Sequence, residues 1–525
     1  MNMLQNRAKK TKGFGLFNIV MSGLSGAIGF EIFVLLNYAY FHLAGPDILI
    51  ALALGGAINF LIMLSYCELA TSMPTVGGEY TYIKTAYGGY ISFIFGSFRW
   101  LSSIFVASLA AVAFTLQLSY LFSVISPQIQ MGILNQAWII SIVLVIAMGL
   151  LEVRGIRQIG NIVVIAFILL FICFIIGGFI QGVSPVNLSA AALPTGVTGI
   201  FAAVVYVFPM FIGTRAIVAA ASESKRPEKD ISRGLILSAL IIIPIYILLA
   251  FVAVGTVTPA EILEQVPLLS FAASRVFGSY GGIIFSIAGM TACLSALGTS
   301  LSIQSSISRG MSRDGYFPKI LLSVSSKYGT FHVAAIVGTV FIMLLSTLGA
   351  VPFLGYAASF GSLLVFAVVN LSLIRLRKTK PYMNRPFKTP LYPFTPALGV
   401  ILSVALLFIP ILIGDGNAIY ALTSSIGLTG IVFAGYYLRM VGRYRTQIAL
   451  GGIGIGVGIF LAVSSLLSLS RINILPFPSY LQMFASVIFI VTGLCNLRVG
   501  AKKNAPPPQP EQSLINQKNI GQGLD

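Results

Sequence analysis

The chain has 525 residues, of which 57% are hydrophobic and only 9% are charged, and its mean hydropathy is +0.95. Soluble domains carry roughly a quarter charged residues, so this composition excludes a water-soluble globular protein. The net charge of +18 would suggest a nucleic-acid partner in a soluble protein, but in a membrane protein the distribution of charge reports topology, and we expect no nucleic-acid partner. The sequence therefore predicts an all-α polytopic membrane protein in a lipid bilayer.

The apolar segments predict about fourteen membrane spans, each close to the ~20 residues needed to cross a bilayer. The predicted spans cover residues 14–40, 45–73, 90–122, 136–151, 160–182, 197–222, 232–256, 270–305, 331–350, 352–374, 393–414, 416–438, 447–470 and 478–498. Residues 1–13 are predicted to be a cytoplasmic tail, and residues 501–525 lack the apolar content to fold and are predicted to be a disordered cytoplasmic tail.

Lysine and arginine residues are distributed unequally between alternate loops. Of the 32 in the chain, 28 lie in the termini and in loops that would share one side of the membrane, whereas the opposite loops hold only Arg275 and Arg471. Because these residues accumulate in short cytoplasmic loops, both termini are predicted to lie in the cytoplasm. This arrangement requires an even number of spans.

The first predicted span contains an unusual density of small residues. Residues 22–29 read SGLSGAIG, a composition that weakens a helix and leaves backbone groups free for a ligand. Close packing of helices through small residues is the alternative explanation.

The sixth predicted span carries a second interruption. Pro209 removes a backbone donor and Gly213 adds flexibility, both inside an apolar segment. Spans one and six are an odd number apart and therefore run in opposite directions, which predicts inverted five-helix repeats with a binding site between two discontinuous helices. Exposed N–H groups and helix dipoles at such breaks can hold a carboxylate. The candidate substrate-binding residues are Ser25, Gly26, Ala27, Ile28, Gly29, Phe30, Glu31, Phe208, Pro209, Met210, Phe211 and Gly213.

Four charged residues fall clearly inside predicted spans, away from the first few residues of a span, where each costs at least ~2.5 kcal/mol. They are candidates for coupling or gating: Glu31, Glu68, Arg99 and Arg215. At 1.5 Å per residue, the last three lie on the order of 10 Å from the membrane middle toward the cytoplasm. We therefore expect Glu68 to pair with Arg99 or Arg215 when the cytoplasmic side is closed, as a gate. The alternatives for Glu68 and Arg99 are a static ion pair or side chains that extend to the membrane interface. Glu31 has no cation at its own depth, and is expected to be a proton carrier, the counter-charge of a substrate amine, or a neutral carboxyl bonded to free backbone groups.

Nothing in the sequence predicts a metal site, an organic cofactor or an enzyme. The chain has four cysteines at unrelated spacings, no CxxC pair and two histidines, which predicts neither a disulfide framework nor a zinc site. No paired carboxylates or nucleophile-histidine arrangement occur at a usable spacing.

Several ordered motifs resemble those of the amino acid-polyamine-organocation (APC) superfamily of secondary transporters. Residues 29–34 (GFEIFV) match the position of the G-S/T-G-I-F-V motif in the first helix of that superfamily. Residues 68–82 are similar to its E-L-x-x-x-x-P-x-x-G-G-x-Y-x-Y motif. Further motifs of the superfamily resemble residues 223–231, 309–315 and 385–390. On these residues the chain is identified as a member of the superfamily over about its first 440 residues.

The resemblance implies the LeuT-like fold of that superfamily: a core of ten helices in two inverted repeats over residues 14–374, with helices 1 and 6 discontinuous and accessory helices 11–14 within residues 375–500. It implies a multi-pass secondary transporter of the plasma membrane that moves amino acids or related amines by alternating access, with H⁺ or Na⁺ as a possible coupling ion. The predicted number of fourteen spans resembles that of the cationic amino acid transporter branch of the superfamily. The alternatives are an amine or polyamine exchanger and a non-transporting nutrient receptor with the same fold; the sequence does not indicate an oligomeric state.

The chain departs from the motifs of the superfamily at both breaks. Phe30 and Glu31 occupy the last two places of the G-S/T-G triplet whose backbone receives a carboxylate in the family. A fixed anion at Glu31 would repel that carboxylate, so the binding pose is expected to shift. Pro209 stands where an aromatic gate is usual, and Arg215 replaces a common acidic residue. The remaining candidates for an aromatic gate are Phe208 and Phe211.

Overall fold

The computed structural model describes residues 15–440, except 74–77, 124–135, 156–160, 189–195, 220–223, 258–265 and 326, together with scattered residues between 454 and 494. Within these residues the regular elements are helices, and nine helical segments are long and apolar enough to cross a membrane. Three shorter apolar helices accompany them. The chain is therefore an all-α polytopic membrane protein. It divides at residue 425 into two compact units.

The helices are numbered α1 to α18 in chain order. Their bounds are α1 Leu16–Ala27, α2 Glu31–Tyr38, α3 Ile48–Ser72, α4 Gly78–Tyr87, α5 Gly89–Ser123, α6 Ala137–Arg154, α7 Asn161–Gln181, α8 Pro185–Leu188, α9 Gly196–Val207, α10 Pro209–Ile212, α11 Ala216–Ala219, α12 Pro227–Thr256, α13 Leu268–Phe277, α14 Ser279–Arg313, α15 His332–Ser346, α16 Val351–Thr379, α17 Phe394–Ile413 and α18 Gly416–Met440. A π-helix (Ala39–Ala44) and 3-10 helices (Gly45–Asp47, Gly213–Arg215, Lys319–Leu322) lie between them.

Twelve of the predicted spans overlap these helices. The predicted spans 447–470 and 478–498 fall almost entirely outside the described residues. The count of fourteen spans therefore stays a prediction.

The first and sixth predicted spans each consist of more than one helix. α1 ends at Ala27 and α2 begins at Glu31, with a bend between them. In the sixth span, α10 begins at Pro209, where a missing N–H and a fixed φ suit the first position of a helix. The two interruptions touch, because a Cβ on Gly213 would overlap the carbonyl oxygen of Gly26. Glycine at both positions permits this close approach.

The eighth predicted span differs from the structure. The sequence predicts one helix over 270–305, but α13 and α14 meet at Gly278, whose φ of 69° and ψ of −167° are accessible essentially only to glycine. α14 has 35 residues and is about 52 Å long, well beyond the ~30 Å hydrocarbon core. The prediction of a single helix is wrong because the turn is formed by one residue within an apolar segment.

Helix packing relates the first four spans to the spans five later. α1 packs on the 3-10 helix that follows α10, α3 packs on α12, α5 packs on α14, and α6 packs on α15. These pairs are spans one and six, two and seven, three and eight, and four and nine. α5 also packs along α16, so the centre of this unit is formed by α1, α5, α14, α16 and the interrupted sixth span.

Candidate functional site

A central cavity of about 280 Å³ lies where the two interrupted spans meet. Its walls come from the α1–α2 break, the sixth span, and residues of α4, α5, α14 and α16. The structure brings nine of the sequence-predicted residues to this cavity: Ser25, Gly26, Ile28, Gly29, Glu31, Pro209, Gly213, Arg99 and Arg215. Backbone from both breaks and charged groups from three segments therefore face one enclosed space.

Five other predicted residues are buried in the surrounding wall and do not line the cavity: Ala27, Phe30, Phe208, Met210 and Phe211. Phe208 packs against Phe366, with ring centroids 6.0 Å apart, and Phe211 packs against Tyr246 at 5.9 Å. Phe208 lies between α9 and α10 and Phe211 lies in α10, and both rings pack against neighbouring helices instead of facing the cavity. The structure therefore corrects their assignment as cavity-lining residues, and neither aromatic ring closes the cavity.

Glu31 is the first residue of α2 and is only 9% exposed. Its carboxylate lies above Gly29, where a Cβ would overlap Oε2. The nearby Tyr246 hydroxyl donates to the Ala27 carbonyl oxygen. Among the described residues, Glu31 Oε2 has no hydrogen-bond partner although it is buried. An unpartnered carboxylate oxygen therefore lies beside the cavity.

A charged cluster centred on Glu79 forms one end of the cavity. Arg99 Nε donates to Glu79 Oε2 at 3.1 Å, Arg215 Nη1 donates to Oε1 at 3.1 Å, and the Tyr66 hydroxyl donates to Oε1 at 3.0 Å. The three charged side chains are each 12% exposed. One carboxylate thus serves two guanidinium groups, which leaves a surplus of positive charge. We call these four residues the Glu79 cluster.

In this structure Glu68 does not pair with Arg99 or Arg215, and its pairing with either of them when the cytoplasmic side is closed stays a prediction. Glu68, with 0% exposure, instead accepts two hydrogen bonds from Arg377, at 2.8 and 2.6 Å, and lies 3.4 Å from Arg385 Nε. The Thr389 N–H also donates to Glu68 Oε2 at 2.7 Å. Glu68 is therefore held by the segment after α16 and does not reach the cavity.

Helix geometry explains why the sequence suggested the wrong carboxylate. Tyr66 and Glu68 are two residues apart, so they point about 200° apart around α3. Tyr66 faces the Glu79 cluster, and Glu68 faces the opposite way. Glu79 comes from α4, a short amphipathic helix that hydropathy placed in a loop. Its only sequence signal was its position within the GGEYTY motif.

Sequence reasoning also missed a set of hydroxyl groups on the cavity wall, and these are Ser103, Ser295, Thr299, Ser300 and Ser362. They lie on α5, α14 and α16. Serine and threonine are common in membrane helices, where they bond to backbone or to neighbouring helices. The presence of these residue types in a membrane helix therefore did not indicate a site. The fold shows that they face the same cavity, where they could donate hydrogen bonds to a ligand.

A cluster of tyrosines lies beyond α2 at the opposite end of the bundle, and none of its residues lines the cavity. Tyr206 has its ring centroid 5.0 Å from that of Tyr38 and 5.0 Å from that of Tyr356. The Tyr356 hydroxyl donates to Asp415 Oδ2 at 2.8 Å, and Asn417 Nδ2 donates to the Tyr38 hydroxyl at 3.3 Å. This tyrosine cluster joins α2, α9 and α16 to the turn before α18.

Comparison with known proteins identifies a matching family and several relatives. A family model described as amino acid permease matches residues 14–424. The branched-chain amino acid permease BcaP of Bacillus subtilis (strain 168) is 28% identical over 75% of this chain and 87% of its own length. The methylthioribose transporter of the same organism is 27% identical over the same shares. The chloroplastic cationic amino acid transporter 9 of Arabidopsis thaliana is 27% identical over 58% of this chain and 56% of its own length.

Proposed function

Because this chain belongs to the amino acid permease family, we propose that it is a secondary active transporter that moves amino acids across the plasma membrane by alternating access. The family is made of transporters rather than enzymes, and its members are multi-pass membrane proteins with small-molecule substrates. The observation that carries the proposal is the cavity formed by two contacting helix breaks. Irregular backbone inside a bilayer is tolerated where it faces protein or a water-filled site.

Helix packing supports the proposed ten-helix core in two inverted repeats over residues 14–374, with helices 1 and 6 discontinuous. Four spans of the first half each pack on the span five later. A two-fold axis in the membrane plane would place equivalent helices together in this way. Residues 375–500 would then supply accessory helices 11–14, for about fourteen spans in total.

The two ends of the cavity support an inward-facing conformation. Glu79 and Tyr80 line the end that the distribution of lysine and arginine assigns to the cytoplasm. At the other end the tyrosine cluster fills the space between α2, α9 and α16 with buried rings. A substrate would therefore enter from the cytoplasmic end in this state, and both termini would lie in the cytoplasm.

A second candidate function is an amine or polyamine exchanger, and Glu31 favours it. Its carboxylate lies at the break where the family resemblance implies that a substrate carboxylate binds. Two anions at one buried site repel each other. Family membership leaves the choice open, because one relative is named for branched-chain amino acids and another for methylthioribose.

Transport by the purified full chain in proteoliposomes tests the proposal. Labelled amino acids and amines are offered with an inward gradient of H⁺ or Na⁺, or with unlabelled compound inside. Accumulation that depends on one gradient supports a coupled transporter with that ion, and trans-stimulated exchange without accumulation supports an exchanger. Binding without either flux identifies a nutrient receptor, and the absence of both binding and flux across the panel contradicts the proposal.

A further inference from the structure

Of the charged side chains that line the cavity, Glu31 has no ion-pair partner within the part of the chain that the structure describes. The charged lining residues of the cavity are Glu31, Glu79, Arg99 and Arg215. Among the described residues, both arginines form ion pairs with Glu79, and neither forms one with Glu31. The Tyr246 hydroxyl donates to the Ala27 carbonyl. The two cations that line the cavity are therefore already paired with Glu79.

The local backbone favours the ionised form of Glu31. It is the first residue of α2, an eight-residue helix, and a negative charge in the first turn interacts favourably with the helix dipole. A glycine at position 29 makes room for the carboxylate to lie against the break. Yet a buried carboxylate without a partner raises the free energy of the folded protein in a membrane. A cation that enters the cavity and pairs with the carboxylate would offset this cost.

We propose that Glu31 binds a protonated amine of the substrate, so that this cavity requires an amine and tolerates the loss of a substrate carboxylate. The proposal rests on the proposed transport function, since it assigns a role to one residue of the same cavity. An ammonium group has three donors and no acceptor, which suits the free Oε2 of Glu31. The substrate amine would then lie at the α1–α2 break.

A series of four-carbon compounds tests separately whether the purified wild-type protein needs the amine or the carboxylate of a substrate. Thermal stability is measured with butylamine, 1,4-diaminobutane, 4-aminobutanoate, 2-aminobutanoate and butanoate, because a ligand that binds the folded state raises its melting temperature. We expect stabilisation by at least one compound that carries an amine and lacks a carboxylate, and none by butanoate. Stabilisation by butanoate, or by no amine that lacks a carboxylate, overturns the proposal.

Glu31→Gln removes the charge with almost no change in shape, and Glu152→Gln is the matched control outside the cavity. Loss of one partner of a buried charge pair should weaken amine binding about 30-fold or more, whereas the control should bind as the wild type does. Unchanged amine binding by a folded Glu31→Gln protein contradicts the proposal. If the Glu31→Gln protein still takes up amino acids, the transport function stands and only the role proposed for Glu31 fails. If the wild-type protein neither binds nor transports any compound, the transport function itself fails.

Discussion

Glu79 is one carboxylate that pairs with two arginines inside a helical bundle. Arg99 and Arg215 both donate to it, and Tyr66 supplies a third donor. Arg215 also lies with its guanidinium carbon 5.4 Å from the centre of the Phe366 ring. These contacts join α3, α4, α5 and the sixth span at a single residue. The cluster is therefore placed to hold its end of the cavity in one arrangement.

Glu79→Gln should destabilise the protein and impair transport together. Removal of one partner from a buried ion pair typically costs about 3–5 kcal/mol, because it leaves charge without compensation. Here the remaining guanidinium groups would also repel each other. We expect a lower melting temperature in detergent and a large loss of substrate flux. Glu79→Gln with Arg215→Gln should recover part of the stability, since only one arginine then lacks a partner, and no recovery would contradict this account.

Glu68→Gln should affect stability more than transport kinetics. Its partners Arg377 and Arg385 both belong to α16 and the segment after it, and Arg385 also donates to the carbonyl oxygens of Leu376 and Lys380. Glu68 therefore fastens that segment to α3. We expect a lower melting temperature with exchange kinetics close to those of the wild type. A strongly altered exchange rate at unchanged stability would instead support a gating role.

The depths of single residues along their helices identified the two arginines of the Glu79 cluster but not its carboxylate. Arg99 and Arg215 were recognised as buried cations because they interrupt apolar segments. Glu79 was missed because α4 is short and polar, and hydropathy counts such a segment as a loop. Glu68 was misassigned because depth along a helix does not say which face a side chain occupies. Pairings between helices follow from that rotation, which only the packed structure shows.

At the scale of helices, the crossing of α1 and the sixth span determines the shape of the cavity. The backbones approach so closely at Gly26 and Gly213 that a Cβ on either residue would overlap backbone of the other. The sequence predicted both interruptions, because proline and clustered glycines have direct effects on helix geometry. It did not predict their contact, which depends on how the two spans pack.

Gly213→Ala should separate these two elements and reduce transport. The added methyl group has no space, and overpacking of this kind typically costs about 1–3 kcal/mol. We expect at least a tenfold lower transport rate. Gly427→Ala is the matched control, because a Cβ there meets nothing within 4 Å and alanine favours a helix by about 0.5–1 kcal/mol. Equal transport by the two variants would show that the close approach is not needed for function.

At the scale of the whole molecule, the Glu79 end of the cavity and the tyrosine cluster beyond α2 are built from different chemistry. The Glu79 cluster consists of ion pairs, whereas the tyrosine cluster combines ring packing with two hydrogen bonds, one from the Tyr356 hydroxyl to Asp415 and one from Asn417 to the Tyr38 hydroxyl. The order of spans was predictable because each apolar segment must cross the membrane. The tyrosine cluster was not, since Tyr38, Tyr206, Tyr356 and Asp415 are far apart in sequence and follow no local pattern.

Asp415 permits a selective test of the tyrosine cluster. Its Oδ1 accepts the N–H groups of Asn417 and Ala418 at the start of α18, while Oδ2 accepts the Tyr356 hydroxyl. Asparagine caps a helix about as well as aspartate. Asp415→Asn therefore keeps the cap and replaces the carboxylate acceptor with an amide NH2, which can only donate a weaker neutral bond to the Tyr356 hydroxyl. Tyr356→Phe removes the hydroxyl while the ring still packs.

Either change should make the cavity more accessible from the side opposite the Glu79 cluster. A hydrogen bond to a charged group is worth about 1.5–3 kcal/mol, and a shift of 1.4 kcal/mol between two states changes their ratio tenfold. A cysteine introduced by Ser295→Cys on the cavity wall should then react about tenfold faster with an impermeant thiol reagent added outside. Because the two residues act through one bond, the double variant should match the single variants. Additive effects, or unchanged labelling, would show that this bond does not hold the outer side closed.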